Sequence, residues 1–370
     1  MSVAAIIAQS KSRREAWKYT ALTPLAGIEF MPALHGAAIS GMAVPSALPA
    51  GGRHRLVFVN GALSAEWSRR DGLPADIVTG DPLEGYDLRV EAQTCLIAAP
   101  LEVVFIAAKD AHARQSMAKL RVTLGASARL TLIEHHAGFG AGAAHAAVTE
   151  VSVALGAQAK LLHAKFQDMG AEDYHLAATK VDVEGGAYYD RFAMTTGAAL
   201  SRDEVHVTLK APLAQTQLHG VYLQRGAQHA DTTTVIDHAA PHTSSREVYK
   251  GVLDGKSRGV FQGRITVRPG AQKTDGHQLS RVLLLSDQAE ADAKPELEIY
   301  ADDVKCSHGA TIGQLDETAL FYLRSRGIPE REARALLIQA FAAEIIDGLA
   351  SEELRAYASA RAHEWHGGRP

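Results

Sequence analysis

The chain of 370 residues is short of several things, and each shortage excludes something. It has two cysteines, Cys95 and Cys306, which form neither a disulfide framework nor a CxxC motif. An iron–sulfur cluster held by one chain usually takes four donors, mostly thiolates, and this chain cannot supply them. Basic charge is not in excess: 38 Lys and Arg stand against 42 Asp and Glu, for a net charge of −4. There is no basic stripe with interleaved aromatics, so no electrostatic footprint for nucleic acid. Long apolar runs are missing too. The longest nearly uncharged stretch, Cys95 to Ala108, is interrupted by Glu102 and is too short to span a bilayer. Apolar Met1–Ala8 precedes Lys11, Arg13 and Arg14, the reverse of a secretory signal. These absences predict a reduced, cytoplasmic protein that binds neither membrane nor nucleic acid.

Catalytic signatures are scarce as well. Gly251-Val-Leu-Asp-Gly-Lys-Ser257 is similar to a phosphate-binding loop but has three residues between its glycines where four are needed. It also leads into Arg258-Gly-Val-Phe-Gln-Gly-Arg-Ile-Thr-Val267, which reads as strand rather than helix. The chain therefore does not hydrolyse ATP itself. HExxH and GxGxxG are missing, and no GxSxG stands at a nucleophile elbow. Asp302 and Asp303 would fall on opposite faces of a strand and make a poor acid–base pair. Among 17 histidines, His135-His136, His238 and His242 stand out, but Pro241 argues against a helix that would align the last two. Most histidines are expected to be solvated or hydrogen-bonded side chains.

What is present is a soluble, globular composition, 46% hydrophobic and 22% charged, in three textures. Residues 1–100 open with helix formers around Ser12–Tyr19, then become irregular, with prolines at 24, 32, 45, 49, 74 and 82. Residues 101–311 alternate on a period of two, as in Leu120–Leu124, Thr149–Leu155, Lys180–Glu184 and Asp203–Leu209, the mark of half-buried strands. Turn signals at Gly125-Ala, Gly156-Ala, Gly185-Gly, Ala211-Pro, Gly226-Ala and Gly270-Ala recur near multiples of about 15 residues. That quasi-repeat favours a solenoid, a parallel β-helix, over a β-sandwich. Residues 312–370 read as helical. Asp316 is placed to cap one helix, Gly327 to end it, and Pro329 to open a second. The second helix would bury a stripe of Leu336, Leu337, Ala340, Phe341, Ile345 and Leu349, or offer it to a partner.

The densest chemistry lies in Pro295-Glu-Leu-Glu-Ile-Tyr-Ala-Asp-Asp-Val-Lys-Cys-Ser-His-Gly-Ala-Thr311. On a strand Cys306 and His308 share a face, with Cα atoms roughly 6.5–7 Å apart. One thiol beside one imidazole is half of a metal or cluster site. On the bland reading, Cys306 is a small buried hydrophobe and His308 a hydrogen-bonding side chain.

Four segments carry a resemblance: Arg258–Ile265, Ala271-Gln-Lys-Thr-Asp-Gly276, Lys294–Thr311 and Leu320-Phe-Tyr-Leu-Arg-Ser-Arg-Gly-Ile328, with Arg14-Glu-Ala-Trp-Lys-Tyr-Thr20 near the start. They closely resemble the SufB/SufD family of the SUF iron–sulfur cluster assembly machinery, on its SufD branch. The match is dense from about Asp231 to Asp347 and diffuse from Ala21 to about Leu200. The resemblance implies a right-handed parallel β-helix between N- and C-terminal helical regions. It implies a non-catalytic scaffold that works with a SufB-like paralogue and a SufC-like ATPase, the ATPase docking on helices from about Leu315 to Leu349. It also implies that Cys306 and His308 help hold a nascent cluster, transient and shared with the partner, and that the isolated chain carries none. A homodimer of the isolated chain is a further expectation, because solenoid ends must be capped or paired. The rival reading, a β-helix carbohydrate-active enzyme, would need clustered carboxylates with Lys or Arg on one sheet face.

Overall fold

A computed structural model describes residues 2–35, 44–47, 54–74 and 76–367. Pro49, one of the prolines noted above, lies outside them. The core is a flattened parallel solenoid of two facing sheets. Strands alternate between the sheets, so each strand pairs with the strand two along the chain. Pairing is parallel and in register over whole strands: Leu200 sits beside His229, and His229 beside Arg258. Tyr174–Val183, Leu200–Leu209, His229–His238 and Arg258–Val267 belong to sheet 1. Lys160–Asp168, Tyr188–Thr195, Gln215–Gln224, Ser244–Leu253, Asp275–Leu284 and Lys305–Gln314 belong to sheet 2.

The alternating segments pick out these strands because each strand turns one face to the lumen. Lumen positions are filled by a ladder of Leu, Val, Ile, Tyr and Phe, including Leu161, Tyr189, Leu218, Tyr249, Val205, Ile236 and Phe261. The turn signals fall between strands as expected. Five of them sit at the corners leading from sheet 1 to sheet 2, and Gly226-Ala sits at the opposite corner, which is why half-coil and full-coil spacings mix. At the first kind of corner an equivalent residue of each coil takes a left-handed conformation, Gln93, Ser127, Gln158, Gly186, Leu213, His242 and Lys273, and Gly270 adds a second at the last. The amide at the equivalent position typically donates to a carbonyl of the next coil's turn, as His242 N does to Gln272 O at 2.9 Å. His242 is thus a turn residue. His238 is buried at the strand end, bonded to Thr243 and Ser245.

The ends of the solenoid differ. The first ends in antiparallel hairpins, His54–Val59 with Ala62–Arg69 and Val78–Asp81 with Gly85–Val90. The other ends in the parallel strands Glu290–Ile299 and Lys305–Gln314, each with an unpaired outer edge among the described residues. Strand Cys95–Ala108 runs across the expected boundary at 100/101, and Lys305–Gln314 across that at 311/312, so the solenoid continues past both.

Helices cover the outer faces. Helix α1 (Val3–Ser12), capped by the Ser2 hydroxyl, and α2 (Thr23–Ala26) pack on sheet 1. The expected helix around Ser12–Tyr19 is instead a 3₁₀ turn, Arg14–Trp17, after α1. The solenoid takes the carbonyl a helix would use: Ala16 O accepts from Arg202 Nη2 at 2.9 Å and from Gln262 Nε2 at 3.4 Å. Helices α3 (Glu317–Ser325), α4 (Glu330–Ile346) and α5 (Glu352–Gly367) close the chain, with α4 and α5 on sheet 2. Asp316 caps α3 through the amides of Thr318 and Ala319, Gly327 follows it with φ 87°, and Pro329 precedes α4. The apolar stripe differs from expectation. Ala333, Ile338, Ala342, Ile345, Ile346 and Leu349 are buried, while Leu336 and Ala340 are exposed. The reason is that α4 is wedged between sheet 2 and α5, which turns a wider and rotated arc inward.

Candidate functional site

Cys306 and His308 lie on the last strand of sheet 2, at the open end. Cys306 pairs with Gly276 and His308 with Gln278, both lumen positions, and Cys306 packs against the lumen core. The pair therefore shares the inward face, as period-two spacing requires. In an interior coil that face would be sealed. Here no further coil covers it, so Cys306 is half-buried and His308 exposed. Burial pushes the Cys306 thiol up, and nearby Asp275 pushes the same way. A thiol held high is a poor ligand until a cation or a partner's positive charge lowers it. Around the pair the end surface is apolar: Leu297, Ala301 and Val304 are partly buried, and Ile299, Tyr300 and Ile312 are exposed. Among the described residues no three His, Cys, Asp or Glu side chains are grouped to hold a metal ion. Cys95, the other free cysteine, opens a strand near the first end and is exposed.

A second polar assembly, which pattern reading missed, lies sealed inside the lumen. Glu134 accepts from His136 Nε2 at 2.5 Å and from His163 Nε2 at 2.7 Å. Asp203 accepts from Lys165 Nζ at 3.0 Å and Arg191 Nη2 at 2.7 Å. All six side chains are buried. Burial alone would raise both carboxyls. Lys165 with the two histidines holds Glu134 well below its usual range, and Arg191 with Lys165 does the same for Asp203. Two carboxylates face two fixed cations, so the group is close to neutral. One signal could have found it: charged residues at lumen parity in otherwise apolar strands, as in Lys160-Leu-Leu-His-Ala-Lys165. These carboxylates are saturated and dry, unlike the open acid groups a carbohydrate-active enzyme requires.

A third cluster anchors the N-terminal segment. Arg202 stacks on Trp17 at 3.9 Å and binds Asp231, which Thr20 also reaches. Within Arg14–Thr20, Glu15 meets Lys294 at 2.6 Å.

Among the described residues, then, the parallel solenoid ends in an exposed coil that carries one thiol beside one imidazole. The sequence profile described as "SUF system FeS cluster assembly, SufBD core domain" matches residues 105–341. The iron–sulfur cluster assembly protein SufD of Escherichia coli is 30% identical, covering 94% of this chain and 87% of its own. A SufBD family protein of a Synechocystis strain is 30% identical over 90% of the chain and 83% of its own. SufD of Bacillus subtilis is 38% identical over 36% of the chain. The chain belongs to the SufBD family of iron–sulfur cluster assembly proteins. No helix among the described residues is long and apolar enough to cross a membrane.

Proposed function

We propose that this chain is a non-catalytic scaffold subunit that joins a SufB-like paralogue and a SufC-like ATPase in the cytoplasm. It lends Cys306 and His308 to a cluster that is cargo shared with the paralogue. The observation that carries this is positional: the chain's thiol–imidazole pair stands on the inward face of the one solenoid end left open among the described residues. A paralogue, or a second copy in the isolated protein, would extend both sheets there and bring its own donors across. Exposed Phe321 and Tyr322 on α3, with Leu336 on α4, offer an apolar surface for the ATPase. Nucleotide-driven closure of that ATPase would then move the two solenoids against each other and open the shared site to iron and sulfide.

The test is to co-purify the chain with both partners and measure iron and sulfide per complex for the wild type, His308→Ala and Cys306→Ser. Both variants are expected to assemble normally and to lose most of the cluster. An unchanged yield in both would remove the pair from the mechanism. A stoichiometric cluster on the isolated wild-type chain would overturn the shared site.

A further inference from the structure

One register position of sheet 2 leads from the sealed charge cluster to the open end. Arg191 sits beside Leu218, Leu218 beside Glu247, Glu247 beside Gln278, and Gln278 beside His308. All face the lumen. Glu247 is 1% exposed and Gln278 3% exposed. Gln278 Nε2 donates to Glu247 Oε2 at 2.8 Å. The remaining side-chain oxygens, Glu247 Oε1 and Gln278 Oε1, are buried and make no hydrogen bond. Space for this pair is cut into the opposite sheet. A Cβ on Gly263 would stand 1.8 Å from Gln278 Nε2, so only glycine lets the amide lie across the lumen.

Glu247 is also the odd carboxyl of the interior. Glu134 and Asp203 each have fixed cations, whereas Glu247 meets Gln278 and Tyr249 in its own sheet and Thr234 in the other. The charged or titratable groups along its column are His163, bonded to Glu134 and Tyr189, Arg191, already held by Asp203, and His308. Burial raises the Glu247 carboxyl to about 7, with Thr234 and Gln278 opposing only in part. A buried carboxyl without a counter-ion favours its neutral form. A counter-ion arriving at the open end would reverse that preference.

We propose that Glu247 is a charge-compensating, positioning residue for the Cys306–His308 pair, neutral in the free chain in mild acid and ionised when a cation binds there. This rests on the donor-pair reading above. The charges balance: a divalent cation on a neutral imidazole and a thiolate leaves a net +1, and ionised Glu247 brings it to zero. One proton leaves from the thiol and one from Glu247, both to solvent through the open end, and no electron moves. Two strand spacings separate Glu247 from His308, about 10 Å. At an effective dielectric near 20, a unit charge at that distance changes cation affinity on the order of tenfold.

The probe is Co²⁺, titrated into the complete assembly with its paralogue and ATPase and followed by thiolate-to-cobalt absorption. Glu247→Gln keeps the shape and the acceptor for Gln278. It is expected to bind Co²⁺ about tenfold more weakly than wild type at pH 8 and to converge with it at pH 5.5. Glu247→Asp should recover part of the pH dependence. Infrared spectra of the full chain at pH 5.5 should show a protonated-carboxyl band that Glu247→Gln lacks and that fades by pH 8.5. If His308→Ala binds Co²⁺ like the wild type, the donor-pair reading itself falls. If His308→Ala loses binding while Glu247→Gln matches wild type at both pH values, or the infrared band is missing, only the role of Glu247 is overturned.

Discussion

Asp203→Asn tests the idea that the lumen is held by charge balance rather than by apolar packing alone. In the wild type Asp203 is the counter-ion of both Lys165 and Arg191, at 3.0 and 2.7 Å, and all three are sealed from solvent. The amide keeps the volume and one acceptor but removes the charge, leaving a net positive lumen. Arg191 Nε and Nη1 already lack close partners, and the neutral Tyr249 hydroxyl nearby cannot replace a counter-ion. Breaking a buried ion pair by removing one partner costs about 3–5 kcal/mol. Against a total stability of about 5–15 kcal/mol, that is a large fraction. The Asp203 carboxyl sits below its ordinary value, so its contribution is present above the usual carboxylate range and is lost as pH falls through the folded value. At pH 7 the full penalty should appear as a lowered urea midpoint, and the gap to wild type should narrow only in strong acid. Replacing Lys165, Arg191, Asp203 and Glu134 together with Met, Met, Leu and Gln should restore most of the loss, because no unpaired fixed charge then remains. An Asp203→Asn midpoint within about 1 kcal/mol of wild type at pH 7 would show that lumen water solvates the cations and would refute the reasoning.

Glu247→Gln should also change stability with the opposite sign. Burial lifts the folded carboxyl to about 7 from an ordinary glutamate value of 4.5, so native stability present in acid is lost as pH rises through that window. The variant should match wild type at pH 4 and exceed it by up to about 3 kcal/mol at pH 8 in thermal melts. Arg202→Met removes the cation stacked on Trp17 and the partner of Asp231. It should free the segment before Thr20 to proteolysis and cost about 3 kcal/mol, leaving C-terminal hydrogen exchange unchanged. Phe321→Ser with Tyr322→Ser touches exposed residues only. Stability should stay within about 0.5 kcal/mol per substitution while the ATPase partner binds at least about tenfold more weakly by calorimetry.

Strand identity and coil period could be read from the sequence because lumen packing imposes a strict period of two and the corners recur. Corner chemistry was only half visible. The left-handed position is filled by Ser127, Gln158, Leu213, His242 and Lys273 and by glycine only at Gly186, since the stacked turn supplies a bond to its amide. The first helix was misplaced because propensity cannot know that Arg202, far along the chain, will claim the Ala16 carbonyl. The face of α4 was misread because a helix held from two sides has no single stripe. Cys306 and His308 were legible through their i, i+2 spacing. Glu247 was not, because Glu-Val-Tyr-Lys looks like any alternating strand until the register sets it beside Gln278.

The placement of the donor pair follows from what the solenoid does to each position of that register. His163 occupies the same column further inside, and there the imidazole is spent: its two nitrogens bond Glu134 and Tyr189 and no solvent reaches it. Every interior coil is covered by neighbours on both sides, so a side chain there is closed to a ligand arriving from solvent. The last coil has a neighbour on one side only, and its strands are half-buried or exposed throughout. A strand added to that edge would lie about 4.8 Å away and point its own inward residues at Cys306 and His308. On the proposed reading, completing the sheet would also complete the coordination, which a pair sealed inside an interior coil would not do.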